Sequence, residues 1–79
     1  MVWWAIPVKA RPSGREVVDA MCKIGYMSDR QRGSHMILRQ QAPPYRRLTI
    51  PDHKEVAKGT LRAIIRQAGL TVGEFTDLL

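Results

Sequence analysis

Between residues 13 and 69 the spacing of apolar side chains changes twice, and few folds accommodate that change. Val17, Ala20, Met21 and Ile24 recur at the three- and four-residue intervals of an amphipathic helix. Through the middle of the chain the interval becomes two. Met36 and Leu38 alternate with His35, Ile37 and Arg39, and Leu48 and Ile50 alternate with Arg47 and Thr49. Two-residue alternation puts successive side chains on opposite faces of a strand. Helical spacing then returns with Leu61, Ile64, Ile65 and Ala68.

The punctuation between these segments is consistent with the periods. Ser13-Gly14-Arg15-Glu16 has the form of a capping box, in which serine and glutamate each satisfy the other's free amide. Gly25 suits the end of that helix, as a left-handed cap residue. Strands are expected at Tyr26 to Arg32, Ser34 to Gln40 and Arg46 to Pro51, with Gly33 at a tight turn and Pro51 ending the ladder. Gln41-Ala42-Pro43-Pro44 is turn material, and Asp52 to Gly59 reads as a polar loop. Thr60 is the expected cap of the second helix and Gly69 its stop. Thr71-Val72-Gly73-Glu74 repeats the capping box before a short last helix, with Val72, Phe75 and Leu79 on one side.

The expected fold is α+β: helix, three antiparallel strands, helix, short helix. Each main helix offers one apolar stripe, so both belong on one face of the sheet. The other face stays open, carrying His35, Arg39 and Arg47. A slip of one residue in register would turn all three inward.

A chain of 79 residues holds one such domain, with residues 1–12 as an irregular N-terminal arm and 13–79 as the folded body. It buries only roughly 60% of the surface its unfolded form exposes. One cysteine, Cys22, excludes an internal disulfide and a cysteine-based zinc cluster, and fits a reducing cytoplasm. The apolar start, Val2 to Val8, is far short of the ~20 residues that span a bilayer. It also lacks the basic lead and cleavage site of a signal peptide. Thirteen Lys and Arg stand against seven Asp and Glu, a formal charge of +6, and nine of the thirteen are arginine. Such a balance suits nucleic acid, an acidic protein or an anionic membrane, and arginine pairs with phosphate at two points.

The strongest candidate for chemistry is His35, in Arg30-Gln31-Arg32-Gly33-Ser34-His35. RNA carries its own nucleophile, the 2′-hydroxyl. A base that takes its proton starts attack on the adjacent phosphorus, and an acid must protonate the departing 5′-oxygen. Imidazole suits either task, since its usual pKa of ~6.5 lies near working pH. Neighbouring guanidiniums would offset charge on the phosphoryl oxygens. The alternative for His35 is an ordinary strand histidine that only solvates or hydrogen-bonds. His53 is a candidate second proton-transfer group or phosphate contact, or a loop residue bonded to Asp52. Asp29, Asp52, Glu55 and His53 are dispersed, with no metal-binding spacing, so no metal or other cofactor is expected. Ser34 and His35 are adjacent in a strand and would face opposite ways, which argues against a Ser–His pair. A helix start at Gly59-Thr60 beside Lys54, Lys58 and Arg62 could hold a phosphate, or be simply a capped helix. Arg46-Arg47 and Arg62/Arg66 could extend a backbone-binding track.

Ser13-Gly14-Arg15-Glu16-Val17-Val18, Gly25-Tyr26, Arg30-Gln31-Arg32-Gly33-Ser34-His35, Thr49-Ile50-Pro51-Asp52-His53 and Lys58-Gly59-Thr60-Leu61-Arg62-Ala63-Ile64 together resemble the HicA toxin family. The resemblance runs from about residue 13 to the end, and the first twelve residues fall outside it. Gln40-Gln41-Ala42-Pro43-Pro44 is richer in proline than the family's usual turn. The resemblance implies a fold like the double-stranded-RNA-binding domain and a cytoplasmic endoribonuclease that cuts messenger RNA independently of the ribosome. It makes the histidine of the Gly-Ser-His segment, His35, the essential one. It also implies a heteromeric complex with a HicB-like antitoxin, commonly acidic where the toxin is basic. The candidate RNA contacts are then Arg30, Arg32, Ser34, Arg39, Arg47, Lys58, Thr60 and Arg62, with His53 in a secondary role. The competing readings are a non-catalytic RNA-binding domain of the same shape and a purely protein-binding basic domain.

Overall fold

A computed structural model describes residues 11–79; Trp3-Trp4 and the rest of the expected arm up to residue 10 lie outside the described residues. The element order is α1 (Gly14–Cys22), β1 (Tyr26–Arg32), β2 (His35–Gln40), β3 (Arg47–Pro51), α2 (Lys58–Gln67) and α3 (Val72–Leu78). The strands form one antiparallel sheet in the order β1-β2-β3.

The capping box at α1 forms as expected. The Glu16 amide donates to Ser13 Oγ at 3.1 Å, and the Ser13 amide donates to Glu16 Oε1 at 3.0 Å. Val17, Ala20 and Met21 are buried by this helix. Ile24 is not, contrary to expectation. The helix ends at Cys22, Gly25 (φ 100°) turns the chain into β1, and Ile24 is left 37% exposed in the connection.

The start of α1 presses against the end of β3. Gly14 is buried, its amide donates to the His53 carbonyl at 2.8 Å, and a Cβ placed on it would run into the Pro51 carbonyl oxygen. Gly59, in the first turn of α2, has open space where its Cβ would be. The two glycines should therefore respond oppositely to the same change. Gly14→Ala is expected to cost ~1–3 kcal/mol by forcing α1 off β3. Gly59→Ala should add ~0.5–1 kcal/mol through helix propensity. Urea denaturation of the two variants checks both signs.

The second helix starts earlier than Thr60. Its N-cap is Ala57, which supplies no side-chain cap, and Thr60 lies inside the first turn. The cause is tertiary. Val56, within the expected polar loop, is fully buried, and its amide donates to the Pro12 carbonyl at 2.9 Å. That anchor brings the chain into helical geometry before Thr60. Leu61, Ile64 and Ile65 face the core, and Gly69 (φ 77°) follows the C-cap Ala68.

The capping box at α3 also forms, with the Glu74 amide donating to Thr71 Oγ1 at 3.1 Å. Phe75 is fully buried, but the other inward residue is Leu78, not Leu79, which is 51% exposed. From Phe75, a three-residue step reaches the core and a four-residue step passes it. Lys23 Nζ donates to the Leu78 carbonyl at 2.6 Å and holds the end of α3 against the turn after α1.

One cluster joins Val17, Ala20 and Met21 of α1, Leu61, Ile64 and Ile65 of α2, and Phe75 of α3 to Tyr26, Met36, Leu38, Leu48 and Ile50 of the sheet. All helices therefore cover the sheet face that carries Met36, Leu38, Leu48 and Ile50. The opposite face is uncovered by any described element. This is the α+β arrangement of a double-stranded-RNA-binding-domain-like fold, with a short helix added at its C-terminal end.

Candidate functional site

Directly opposed residues in an antiparallel ladder point to the same side. The register therefore sorts the open face into three cross-strand rows. Arg32, His35 and Pro51 form the first, Arg30, Ile37 and Thr49 the second, and Met27, Arg39 and Arg47 the third. Rows two residues apart lie ~7 Å from one another, so the face extends about 14 Å along the strands. His35 is exposed at one end of it, flanked across the ladder by Arg32, with Arg30 one row away.

Simple alternation along β1 does not place Arg30 and Arg32 there. Tyr26 is buried on the core side, and even numbering from it would carry Arg30 and Arg32 inward. The register shifts between Ser28 and Arg30, leaving Asp29 as an extra, bulged residue. The bulge reverses the parity of the rest of the strand, so both arginines emerge beside His35. Asp29 itself accepts an ion pair from Arg39, Nη2 to Oδ2 at 3.5 Å.

This face is strongly basic for its size. Arg39 and Arg47 are direct cross-strand partners, an arrangement of like charges that costs stability unless something anionic offsets it. Arg39–Asp29 is the one ion pair that any of Arg30, Arg32, Arg39 and Arg47 makes among the described residues. Arg46, one residue before Arg47, points the other way. Its guanidinium lies beside Gly69 at the end of α2 and close enough to Tyr26 to act on its phenol. Burial pushes that phenol's pKa up, and the Arg46 charge partly counters it. Arg46 is therefore tied to the helical layer and does not extend the open face.

The other sequence-derived candidates divide. Ser34 lies in the turn before β2, with its carbonyl accepting from the Asp52 amide at 2.7 Å. Lys58, Thr60 and Arg62 are exposed on α2, in the layer behind the sheet. No described hydrogen bond or ion pair joins those three to the open face. His53 is exposed two residues beyond Pro51, the cross-strand partner of His35. Its side chain makes no described bond to Asp52, whose carboxylate is engaged elsewhere.

That engagement was not evident from sequence. Arg15 grips Asp52 at two points, Nε to Oδ1 at 3.3 Å and Nη2 to Oδ2 at 3.4 Å. Gln31 Nε2 reaches the same carboxylate at 3.5 Å and donates to the Gly33 carbonyl at 3.0 Å. The Arg15 side chain is 76% exposed, so the pair contributes only ~0–1 kcal/mol to stability. The capping box places Arg15 in the first turn of α1, but its partner is set by the packing of α1 on β3, for which the sequence carries no local signal.

Among the described residues, no three His, Cys, Asp or Glu side chains converge as metal ligands. No described helix is long and apolar enough to cross a membrane. What the open face can do is bind an anion along a row of guanidiniums and present an imidazole to it at one end. The family described as HicA toxin of bacterial toxin-antitoxin matches residues 14–70, most of the chain and all of the sheet. No curated protein matches.

Proposed function

Because this chain belongs to the HicA toxin family of bacterial toxin–antitoxin systems, we propose that it is an endoribonuclease that cuts messenger RNA on the open face of its sheet, with His35 moving protons at the reacting phosphodiester. The observation that carries this reading is the first cross-strand row, which sets an exposed His35 beside Arg32 with Arg30 next to it. In the proposed reaction the 2′-hydroxyl loses its proton and its oxygen bonds to the adjacent phosphorus. The bond from phosphorus to the 5′-oxygen breaks, and that oxygen takes up a proton. The products are a 2′,3′-cyclic phosphate and a free 5′-hydroxyl.

His35 serves one of these transfers, and His53 is the candidate for the other. Arg30 and Arg32 hold the phosphoryl oxygens as charge builds on them, an effect strongest for fixed donors in a site shielded from water. Arg39 and Arg47 track the backbone along the face, and Ser34 contacts it at the turn. Lys58, Thr60 and Arg62 would meet RNA that wraps beyond the sheet edge. The resting state is a cytoplasmic complex in which a HicB-like antitoxin covers the basic face.

No step needs a metal ion. Purified protein is expected to cut RNA in EDTA and to leave 2′,3′-cyclic phosphate ends, read by end-group analysis of the fragments. Activity that disappears with the chelator and returns with Mg²⁺ would contradict the mechanism.

A further inference from the structure

We propose that Asp52 is a positioning residue for His35, fixing the turn from which the imidazole projects. The inference rests on the reading of His35 as the proton-transfer group. His35 is the first residue of β2 and comes directly after a two-residue turn, Gly33-Ser34. The ladder pairs His35 on both sides, with Arg32 and Pro51, but the two turn residues just before it lie outside that ladder and must be held by other contacts.

Asp52 supplies the rest from three sides. Its amide donates to the Ser34 carbonyl at 2.7 Å, extending the β2–β3 pairing one step past Pro51. Its carboxylate receives Gln31 Nε2, which also donates to the Gly33 carbonyl at 3.0 Å. Both turn residues are thus held through Asp52, one directly and one through Gln31. Arg15 then fastens the same carboxylate to the first turn of α1, at 3.3 and 3.4 Å. The adjoining Gly14 amide bonds the His53 carbonyl at 2.8 Å, so helix and strand end are locked together at that point. Three parts of the fold meet at a side chain that makes no described contact with His35 itself. Such an arrangement orients the histidine without taking part in the chemistry.

Reaction rates depend steeply on the placement of a proton-transfer group, and a shift of ~1 Å can cost about 100-fold. Asp52→Ala keeps the backbone bond but removes both side-chain ties. It is expected to lower kcat by about 10- to 100-fold on a short RNA, with KM unchanged, because the arginines of the open face are untouched. Asp52→Asn, which still accepts from Gln31, should restore most of the lost kcat. Gln31→Ala should lower kcat in the same direction by less, and the His35 ring resonances should broaden or split in Asp52→Ala. All variants are compared well below their melting temperatures, with His35→Ala as reference. A wild-type kcat in Asp52→Ala beside an inactive His35→Ala would overturn this proposal alone, as would a loss that tracks the unfolded fraction and is not shared by Gln31→Ala. Wild-type cutting by His35→Ala would overturn the underlying reading of His35.

Discussion

His35→Ala is expected to lower the rate of RNA cleavage by roughly 10²–10⁴-fold while leaving RNA affinity near that of the wild type, the range set by the loss of one general acid or base. The two halves of this expectation come from different parts of the face. In the proposed mechanism proton transfer depends on one exposed imidazole and binding on Arg30, Arg32, Arg39 and Arg47, which share the open face with it and which the substitution leaves in place. The salt dependence of binding should therefore also be unchanged, because its slope counts phosphate contacts and His35 need not make one. Cleavage rates at saturating RNA, together with binding titrations at several salt concentrations, separate the two. Equal growth of cells expressing either protein would favour a non-catalytic RNA-binding domain. A protein that neither binds nor cuts RNA would favour a purely protein-binding one.

The largest expected effect on stability is at Phe75. It is fully buried, and it is the one fully buried side chain of α3, a helix of seven residues. A helix this short does not persist in water on its own, so docking decides whether it forms. Truncating a buried phenylalanine costs ~3–5 kcal/mol. A chain of this length has only about 4–12 kcal/mol to lose. Phe75→Ala should therefore lower the melting temperature by more than about 12 °C. Phe75 lies beyond the segment that matches the family, residues 14–70, yet completes the same core. Differential scanning calorimetry reads the shift. A change of only a few degrees would mean that α3 does not close the core.

The positions of His35, Arg39 and Arg47 were legible in the sequence because β2 and β3 are regular. Met36 and Leu38 alternate with His35, Ile37 and Arg39 without interruption, and both strands keep their register throughout. β1 was not legible in the same way. Its parity depends on the bulge at Asp29, and nothing in Ser28-Asp29-Arg30 announces one. The polar residues after Tyr26 carry no alternation that would fix a face. The start of α2 was misplaced for a related reason. Thr60 is a good capping residue, but burial of Val56 and its bond to Pro12 overrode that local preference. Two capping boxes were legible because each is closed within four residues. The Arg15–Asp52–Gln31 cluster was not, because it joins residues far apart in sequence that only the packing of α1 on β3 brings together.

The proposed chemistry is an attack by the RNA's own 2′-oxygen, assisted at the edge of a basic sheet face that no described element covers. The most direct test is an oligonucleotide mapped for its cut site and then resynthesised with a single 2′-deoxyribose at the scissile nucleotide. Binding should be unchanged and cleavage at that linkage absent, with other sites in the same strand still cut. Cleavage there at an undiminished rate would contradict the mechanism.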